Sequence, residues 1–354
     1  MIYLDKKSDG MTVDDAETAM AAADPETVIE NARTAAAGLL LGSSPEEIVV
    51  TSGGVSEMSS VLFAALSVRP GKTHIITTVG ASAVVTQCFR ELEAKNGCRV
   101  SLIGLNEDGT PDIDSFYAAL DAETAFVSLP MANEETGTLF PVTEMTEIAR
   151  QCSNAVIHVD AGLAVGLTEI KTGQADIVSV PADSFYVPDA IGVIYVRKNS
   201  GILVPESHKT VSDVKRLAGF RAAAKQAADL SDIGHIAGLR DRLENGLLSI
   251  DAAYINGAGR RLPNISNISF ADVNGEALLS RLHDHGVVAE TSSACASPGH
   301  LPSAIFQAMD VPYARAMGSI RFSLNRRTTE ADIDHVIGIM PAIVTELRAI
   351  STPA

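Results

Sequence analysis

The segment "ADIVSVPADSFYVPDAIGVIYV", residues 175–196, contains two β-branched runs separated by a stretch rich in Pro, Asp and Ser. Short apolar runs bounded by such residues are typical of buried strands. Similar runs recur between residues 14 and 200, and helical patterns separate them. Strands that alternate with helices predict βαβ units and a mostly parallel sheet covered on both faces. The predicted fold class is therefore α/β, in which ligands bind at the carboxyl ends of the strands.

The pattern is regular up to residue 200 and changes beyond it. The predicted strands are 47–51, 74–77, 100–103, 125–129, 155–160, 175–180 and 191–196, and the predicted helices are 26–41, 56–66, 82–96, 112–120 and 142–151. Residues 206–232 are polar and rich in Ala and Lys, which predicts a linker followed by a helix. Further elements are predicted as a helix at 233–250, strands at 265–270 and 287–288, and a helix at 330–350.

This less regular order of elements indicates a second, smaller α+β domain. We predict a large domain of residues 13–232 and a small domain formed by residues 1–12 and 233–354. The 354 residues, of which 46% are hydrophobic, are sufficient for one large core or two medium ones.

Charge and composition limit the function. The formal net charge of -17 argues against sequence-independent nucleic-acid binding, which needs clustered Lys and Arg. Neither an N-terminal signal pattern nor an apolar run near the ~18 residues of a membrane span occurs, so we expect a cytoplasmic protein without membrane contact. The four cysteines have no zinc-site spacing and are too few for a disulfide framework, so we expect reduced thiols.

Polar residues follow two of the predicted strands. Ser52, Gly53 and Gly54 stand between a strand and a helix, where they form either an anion cradle or a plain tight turn. Asp160 ends another strand, so its carboxylate lies at the ligand edge of the sheet or caps a turn. His158 is predicted to be a packed core histidine, because the sequence offers no third ligand for a metal. We therefore predict no metal site.

A fourth candidate is Cys295 in "TSSACASPGH", residues 291–300. This small, polar segment with Gly and Pro is not typical of a core strand or a helix. Cys295 is then either an exposed, reactive thiol or an ordinary small residue at a helix start. The sequence contains no Gly-x-Ser-x-Gly elbow and no phosphate-binding loop ending in Gly-Lys-Ser/Thr, so hydrolase and nucleotide-hydrolysing functions lack support.

Together these segments resemble the NifS-like cysteine desulfurases of the class V aminotransferase family. The matching segments are "IYLD" (2–5), "EIVVTSGG" (47–54), "HIIT" (74–77), "NEETG" (133–137), "HVDA" (158–161), "GVIYVR" (192–197), "LPNISNISF" (262–270), "SSACAS" (292–297) and "IRFSLNRRTTEADID" (320–334). The resemblance covers nearly the whole chain. It implies the type I aminotransferase-like fold of the pyridoxal-phosphate-dependent transferases and a homodimer.

In that family, pyridoxal phosphate (PLP) forms an imine with a lysine, and a strand-end aspartate keeps the pyridine ring protonated. A loop cysteine attacks the substrate sulfur and carries it as a persulfide. The resemblance places the aspartate at Asp160, the cysteine at Cys295, and the arginine that binds the substrate carboxylate at Arg321. An alternative explanation is that the site has lost its function and keeps these three residues only because the chain inherited them and they pack well.

Other family positions are changed. Ser184 occupies the lysine position, and a hydroxyl cannot form the imine. The neighbouring histidine becomes Asp183, the phosphate-binding serine becomes Pro181, the stacking histidine becomes Ser82, and the asparagine at the ring hydroxyl becomes Glu134. The Gly-rich segment through which a partner subunit completes the phosphate site has no counterpart in residues 206–232. Each lost charged hydrogen bond costs roughly 1.5–3 kcal/mol, so we predict that the chain does not use PLP.

These observations lead to three hypotheses. The first is a homodimeric pseudoenzyme with a role in sulfur transfer or iron–sulfur chemistry, through Cys295 or through protein contacts. Its partner would be a sulfur acceptor, an iron–sulfur scaffold protein or an active desulfurase. The second is a purely structural subunit of a desulfurase complex. The third is an active PLP-dependent desulfurase or aminotransferase that uses another lysine, for which Lys6 and Lys7 are the candidates because they follow "IYLD".

Overall fold

The structure is a computed structural model that describes residues 1–5, 27–51, 54–181, 184, 191–205, 213–291 and 301–350. In chain order the strands are β1 (Ile2–Tyr3), β2 (Leu40–Leu41), β3 (Ile48–Thr51), β4 (His74–Thr78), β5 (Arg99–Ile103), β6 (Thr124–Pro130), β7 (Val156–Asp160), β8 (Ile170–Lys171), β9 (Ile177–Val180), β10 (Gly192–Val196), β11 (Ala253–Ile255), β12 (Ile265–Phe270), β13 (Val287–Val288), β14 (Glu290–Thr291) and β15 (Ser319–Ser323).

The helices are α1 (Val28–Leu39), α2 (Gly54–Ser67), α3 (Ala83–Asn96), α4 (Ile113–Ala119), α5 (Val142–Cys152), α6 (Val214–Ala228), α7 (Ile233–Leu247), α8 (Gly275–Asp284), α9 (Ala304–Ala308), α10 (Tyr313–Ala316) and α11 (Glu330–Ile350). Among the residues described, none of these helices is long and apolar enough to cross a membrane.

Seven strands form the main sheet, in the order β3-β10-β9-β7-β6-β4-β5. Strand β10 is antiparallel to both of its neighbours, and the other pairings are parallel. Strand β6 is buried along its whole length, as is typical of a parallel strand with helices on both faces. The predicted mostly parallel α/β sheet is confirmed, including the two strands of the opening segment.

Helices cover both faces of this sheet. On one face, α1 packs against α6, and the buried residues of α1 recur at helical spacing from Val28 to Leu39. Many of these buried residues are alanines, which let the two helices approach closely. On the other face, α3 begins after Ser82 and ends before Gly97, whose φ of 66° is the left-handed conformation that glycine adopts without strain.

A second, antiparallel sheet has the order β11-β12-β15-β14 and packs against α7, α8 and α11. The chain start joins this part of the molecule, because β1 pairs in parallel with β13 and Leu4 is buried in the same cluster. Each large apolar side chain buried there contributes about 1.5–3 kcal/mol. The division of the chain into domains at residues 12/13 and 232/233 stays a prediction.

Some elements differ from the prediction. The helix expected over 26–41 ends at Leu39, because Leu40 and Leu41 pair instead with β8. The sequence pattern also missed β1, β8, β11, β14, β15, α8, α9 and α10. Most of these elements are short, so their local pattern is too brief to identify them.

Candidate functional site

The carboxyl edge of the main sheet carries Asp160, the last residue of β7. In the parallel register Asp160 stands beside Pro130 of β6 and Ser179 of β9. Its Oδ1 accepts a hydrogen bond from the main-chain N–H of Gly162 at 3.0 Å. The carboxylate therefore lies at the carboxyl edge of the sheet, and it also holds the turn that follows the strand.

Ser184 lies close to this aspartate. Only 6% of Ser184 is exposed, and its N–H donates to the main-chain oxygen of Pro181 at 3.0 Å. A Cβ added at Gly162 would lie 3.0 Å from Ser184 Oγ, 3.0 Å from Pro181 Cδ and 3.2 Å from Asp160 Oδ1. The structure therefore brings together the strand-end aspartate and the serine that the resemblance places at the lysine position.

His158 lies two residues before Asp160 and is completely buried. Its Nδ1 and Nε2 are hydrogen-bonded to Ser128 Oγ at 2.9 Å and Ser179 Oγ at 2.8 Å. Burial lowers the pKa of His158 to about 3, because the protonated ring would lose its hydration. The prediction of a packed core histidine is confirmed. In the part of the chain that the structure describes, no group of three His, Cys, Asp or Glu could hold a metal ion.

Arg321 reaches the same region from β15 of the second sheet. Its Nη1 donates to the main-chain oxygen of Glu134 at 2.9 Å, in the loop that follows β6. Its Nη2 forms an ion pair with Glu290, which is its direct partner in the antiparallel β14–β15 register. Sequence reasoning missed Glu290, because a cross-strand partner is visible only once the register is known.

The loop that contains Glu134 is also held by hydrogen bonds within the loop, from β12 of the second sheet and from the start of α9. Asn133 Oδ1 accepts from the N–H groups of Glu135 and Thr136 at 2.9 and 3.1 Å, which folds the loop into a tight turn. Asn267 Nδ2 donates to the main-chain oxygen of Glu135 at 3.0 Å, and Ser303 Oγ donates to Glu135 Oε2 at 2.7 Å. The loop is therefore fixed between the two sheets.

Of the remaining predicted site residues, the structure places Ser82 and Gly54 at helix starts and does not describe the others. Ser82 caps α3, since its Oγ accepts from the N–H of Val85 at 3.5 Å, and Gly54 is the first residue of α2. The capping role needs only a short hydroxyl side chain. The others lie outside the described residues, so their roles stay predictions: Ser52, Gly53, Asp183 and Cys295, together with Lys6 and Lys7.

Comparison with known proteins identifies the family of the chain. The chain matches the aminotransferase class-V family over residues 9–209 and 211–336. It is 35% identical over 337 residues to a cysteine desulfurase of Gluconacetobacter diazotrophicus, with 91% of this chain and 84% of the relative covered. It is 38% identical over 325 residues to cysteine desulfurase 2 of Trichormus variabilis, with 88% and 81% covered.

Solved structures show the same fold. A NifS-like protein superposes with a TM-score of 0.85 at 24% identity, and 98% of this chain and 100% of that chain are covered. DndA from Streptomyces lividans gives a TM-score of 0.68 at 27% identity, with 84% and 88% covered. The chain therefore belongs to the class-V aminotransferase family, as a NifS-like relative of the cysteine desulfurases with the fold of the PLP-dependent transferases.

Proposed function

We propose that this chain is a cysteine-desulfurase-like homodimer that does not use PLP and instead transfers sulfur, or serves iron–sulfur chemistry, through Cys295. Its partner would be a sulfur-acceptor protein, an iron–sulfur scaffold or an active desulfurase. The observation that carries the proposal is the buried Ser184 beside Asp160. The relatives are named cysteine desulfurases, which supports sulfur as the element that is handled.

The residues present do not fit PLP as a covalent cofactor. A serine hydroxyl cannot form an imine. In addition, Ser184 Oγ and Pro181 Cδ each lie only 3.0 Å from the position of a Cβ added at Gly162, so these two atoms fill the space next to the Asp160 carboxylate. Pro181 also lacks the hydroxyl and the N–H with which a residue at this position could bind a phosphate.

The lysines of the described residues do not replace the missing one. Lys72 lies shortly before β4, Lys95 lies in the last turn of α3 before β5, and Lys198 follows the antiparallel β10. All three therefore lie at the amino edge of the parallel strands. Asp160 lies at the opposite edge. Lys171, Lys215 and Lys225 are exposed. Three lysines remain outside the described residues, namely Lys6, Lys7 and Lys209.

Cys295 can accept sulfur without a cofactor if the donor is already a persulfide. The Cys295 thiolate attacks the outer sulfur of the donor, the donor S–S bond breaks, and the donor leaves as a thiolate. Cys295 then holds a persulfide, and no external oxidant or reductant is consumed. Attack of an acceptor thiolate on its outer sulfur would pass the sulfur on and restore Cys295.

The first test is a PLP titration of the purified protein followed by visible absorbance and borohydride reduction. We expect no absorbance change and no trapped adduct, because none of the lysines that the structure describes is placed for an imine. A yellow, borohydride-trappable adduct would contradict the proposal. Peptide mapping of that adduct would then decide among Lys6, Lys7 and Lys209, and the chain would be an active PLP-dependent member of the family.

The second test concerns the thiol. The protein is treated with a low-molecular-weight persulfide, and the labelled cysteines are identified by alkylation and mass spectrometry. We expect a persulfide on Cys295 that Cys295→Ala abolishes, whereas the matched control Cys152→Ala, at a half-buried position, leaves it unchanged. Equal labelling in wild type and Cys295→Ala would remove the thiol from the proposal and favour a purely structural subunit.

A further inference from the structure

Arg321 is neutralised by a group of its own chain. It faces Glu290 across the β14–β15 pair, and their side chains form an ion pair in which 15% of Arg321 and 28% of Glu290 is exposed. Nη1 of the same guanidinium is hydrogen-bonded to the Glu134 main-chain oxygen. Two separate elements of the protein thus hold the cation in place, and little of it is open to water.

A free carboxylate must compete with Glu290 for this guanidinium. Salt screens a largely buried pair much less than an exposed one. Glu290 is also tethered next to Arg321, so its effective concentration far exceeds that of a dissolved ligand. The surroundings of Arg321 therefore disfavour a second anion.

We propose that Glu290 is a built-in carboxylate that excludes free α-amino acids and other carboxylate ligands from Arg321. The inference rests on the proposed function, in which Arg321 keeps the position at the ligand site that the family resemblance gives it. It also specifies the substrate class of that function. The sulfur donor presents sulfane sulfur without a free carboxylate at this position, as a polysulfide or a protein-bound persulfide does.

The test uses Glu290→Gln, which keeps the shape of the side chain and removes its charge. The protein is prepared without PLP and titrated with L-alanine and with L-alaninamide, followed by saturation-transfer NMR. L-alanine has no thiol and does not react with Cys295. We expect Glu290→Gln to bind L-alanine at least ~10-fold more tightly than wild type, because a charged hydrogen bond becomes available. The amide, which lacks the carboxylate, should show no gain.

Three variants make the result specific. Adding Arg321→Gln to Glu290→Gln should abolish the gain. Glu244→Gln is the matched control, since it breaks the similarly buried Glu244–Arg261 pair, whose side chains are 9% and 12% exposed, and should not create carboxylate binding. Glu290→Ser is the second variant if the glutamine form does not fold, and it should show the same gain as Glu290→Gln.

Three outcomes would overturn the inference. They are unchanged L-alanine affinity in the folded Glu290 variants, an equal gain in Glu244→Gln, and Arg321-dependent binding of L-alanine by the wild type at the affinity of the variant. The PLP titration decides the proposed function separately. An imine in that titration would contradict the proposed function and leave the Glu290 measurement valid, because the latter is made without PLP.

Discussion

Burial decides the chemistry of His158 at the scale of the single residue. Its ring stacks on Phe126 with a centroid separation of 5.8 Å and an interplanar angle of 14°. Two serine hydroxyls bind both ring nitrogens, so the neutral ring is fully satisfied in the core. The pKa of His158 falls from its ordinary 6.5 to about 3 in the folded protein, because burial disfavours the charged ring.

This shift predicts a pH dependence of stability. Below about pH 6.5 the unfolded chain binds a proton at His158 that the folded chain does not bind. The stability that the neutral, buried ring gives the folded protein is therefore fully present above about pH 6.5, and it is lost progressively as the pH falls. We expect the free energy of unfolding to fall by up to ~1.4 kcal/mol per pH unit below that value. Urea denaturation near pH 7.5 and pH 5 measures it.

His158→Gln should flatten this slope even if it lowers stability at every pH. His335→Gln, at an exposed position, is the control and should leave the slope as in wild type. Burial and the neighbouring Arg99 also lower the pKa of His74, so part of the slope should remain in His158→Gln. An unchanged slope in His158→Gln would contradict the assignment.

At the scale of the element, Gly318 shows how closely β12 and β15 approach. The N–H of Phe270 donates to the Gly318 oxygen at 3.0 Å. A Cβ at Gly318 would lie 2.1 Å from the Phe270 oxygen and 2.9 Å from the Val273 oxygen. The backbone itself would have to move to admit any side chain, because both of the contacted atoms are main-chain oxygens.

Gly318→Ala should therefore lower the free energy of unfolding by about 1–3 kcal/mol or more. Gly338→Ala is the matched control, because Gly338 lies within α11 with no atom within 4 Å of an added Cβ. It should raise stability by about 0.5–1 kcal/mol, since alanine favours a helix. Urea denaturation of both variants checks the prediction, which fails if they change stability in the same direction.

Element prediction succeeded where the local pattern was long. The helix over residues 330–350 and the strand over 265–270 have the predicted bounds. Strands β14 and β15 were missed, although "IRFS" contributes four of the five residues of β15. The two residues of β14 form a strand only because β15 lies beside them, and a local pattern cannot contain that information.

At the scale of the whole molecule, the loop after β6 joins the two sheets. The side chain of Asn267 donates a hydrogen bond to the main-chain oxygen of Glu135 in this loop. Its Oδ1 accepts a hydrogen bond from Asn256 Nδ2 at 2.8 Å. Asn256 Nδ2 also donates to Ser269 Oγ at 2.7 Å. A buried acceptor that loses its partner costs about 1–3 kcal/mol. Asn267 thus links the core of the second sheet to the edge that carries Asp160.

Asn267→Ala should reduce hydrogen-exchange protection in residues 133–138, because it removes the bond to Glu135. Ser269→Ala is the control, since it disturbs the same network at Asn256 but does not contact the loop. Hydrogen exchange followed by mass spectrometry measures both variants. Equal loss of protection in the two would show that general destabilisation is responsible, which would contradict the specific role of Asn267.

The sequence by itself determined the mostly parallel α/β sheet, the position of Asp160 at a strand end and the core role of His158. These follow from local periodicity and from residue identity, which are fully present in the chain. Only the tertiary structure decided that Ser184 and Pro181 close around Gly162 and that Glu290 neutralises Arg321. The residues of these contacts come from different strands and loops, so their meeting depends on strand register and packing, which no local pattern contains.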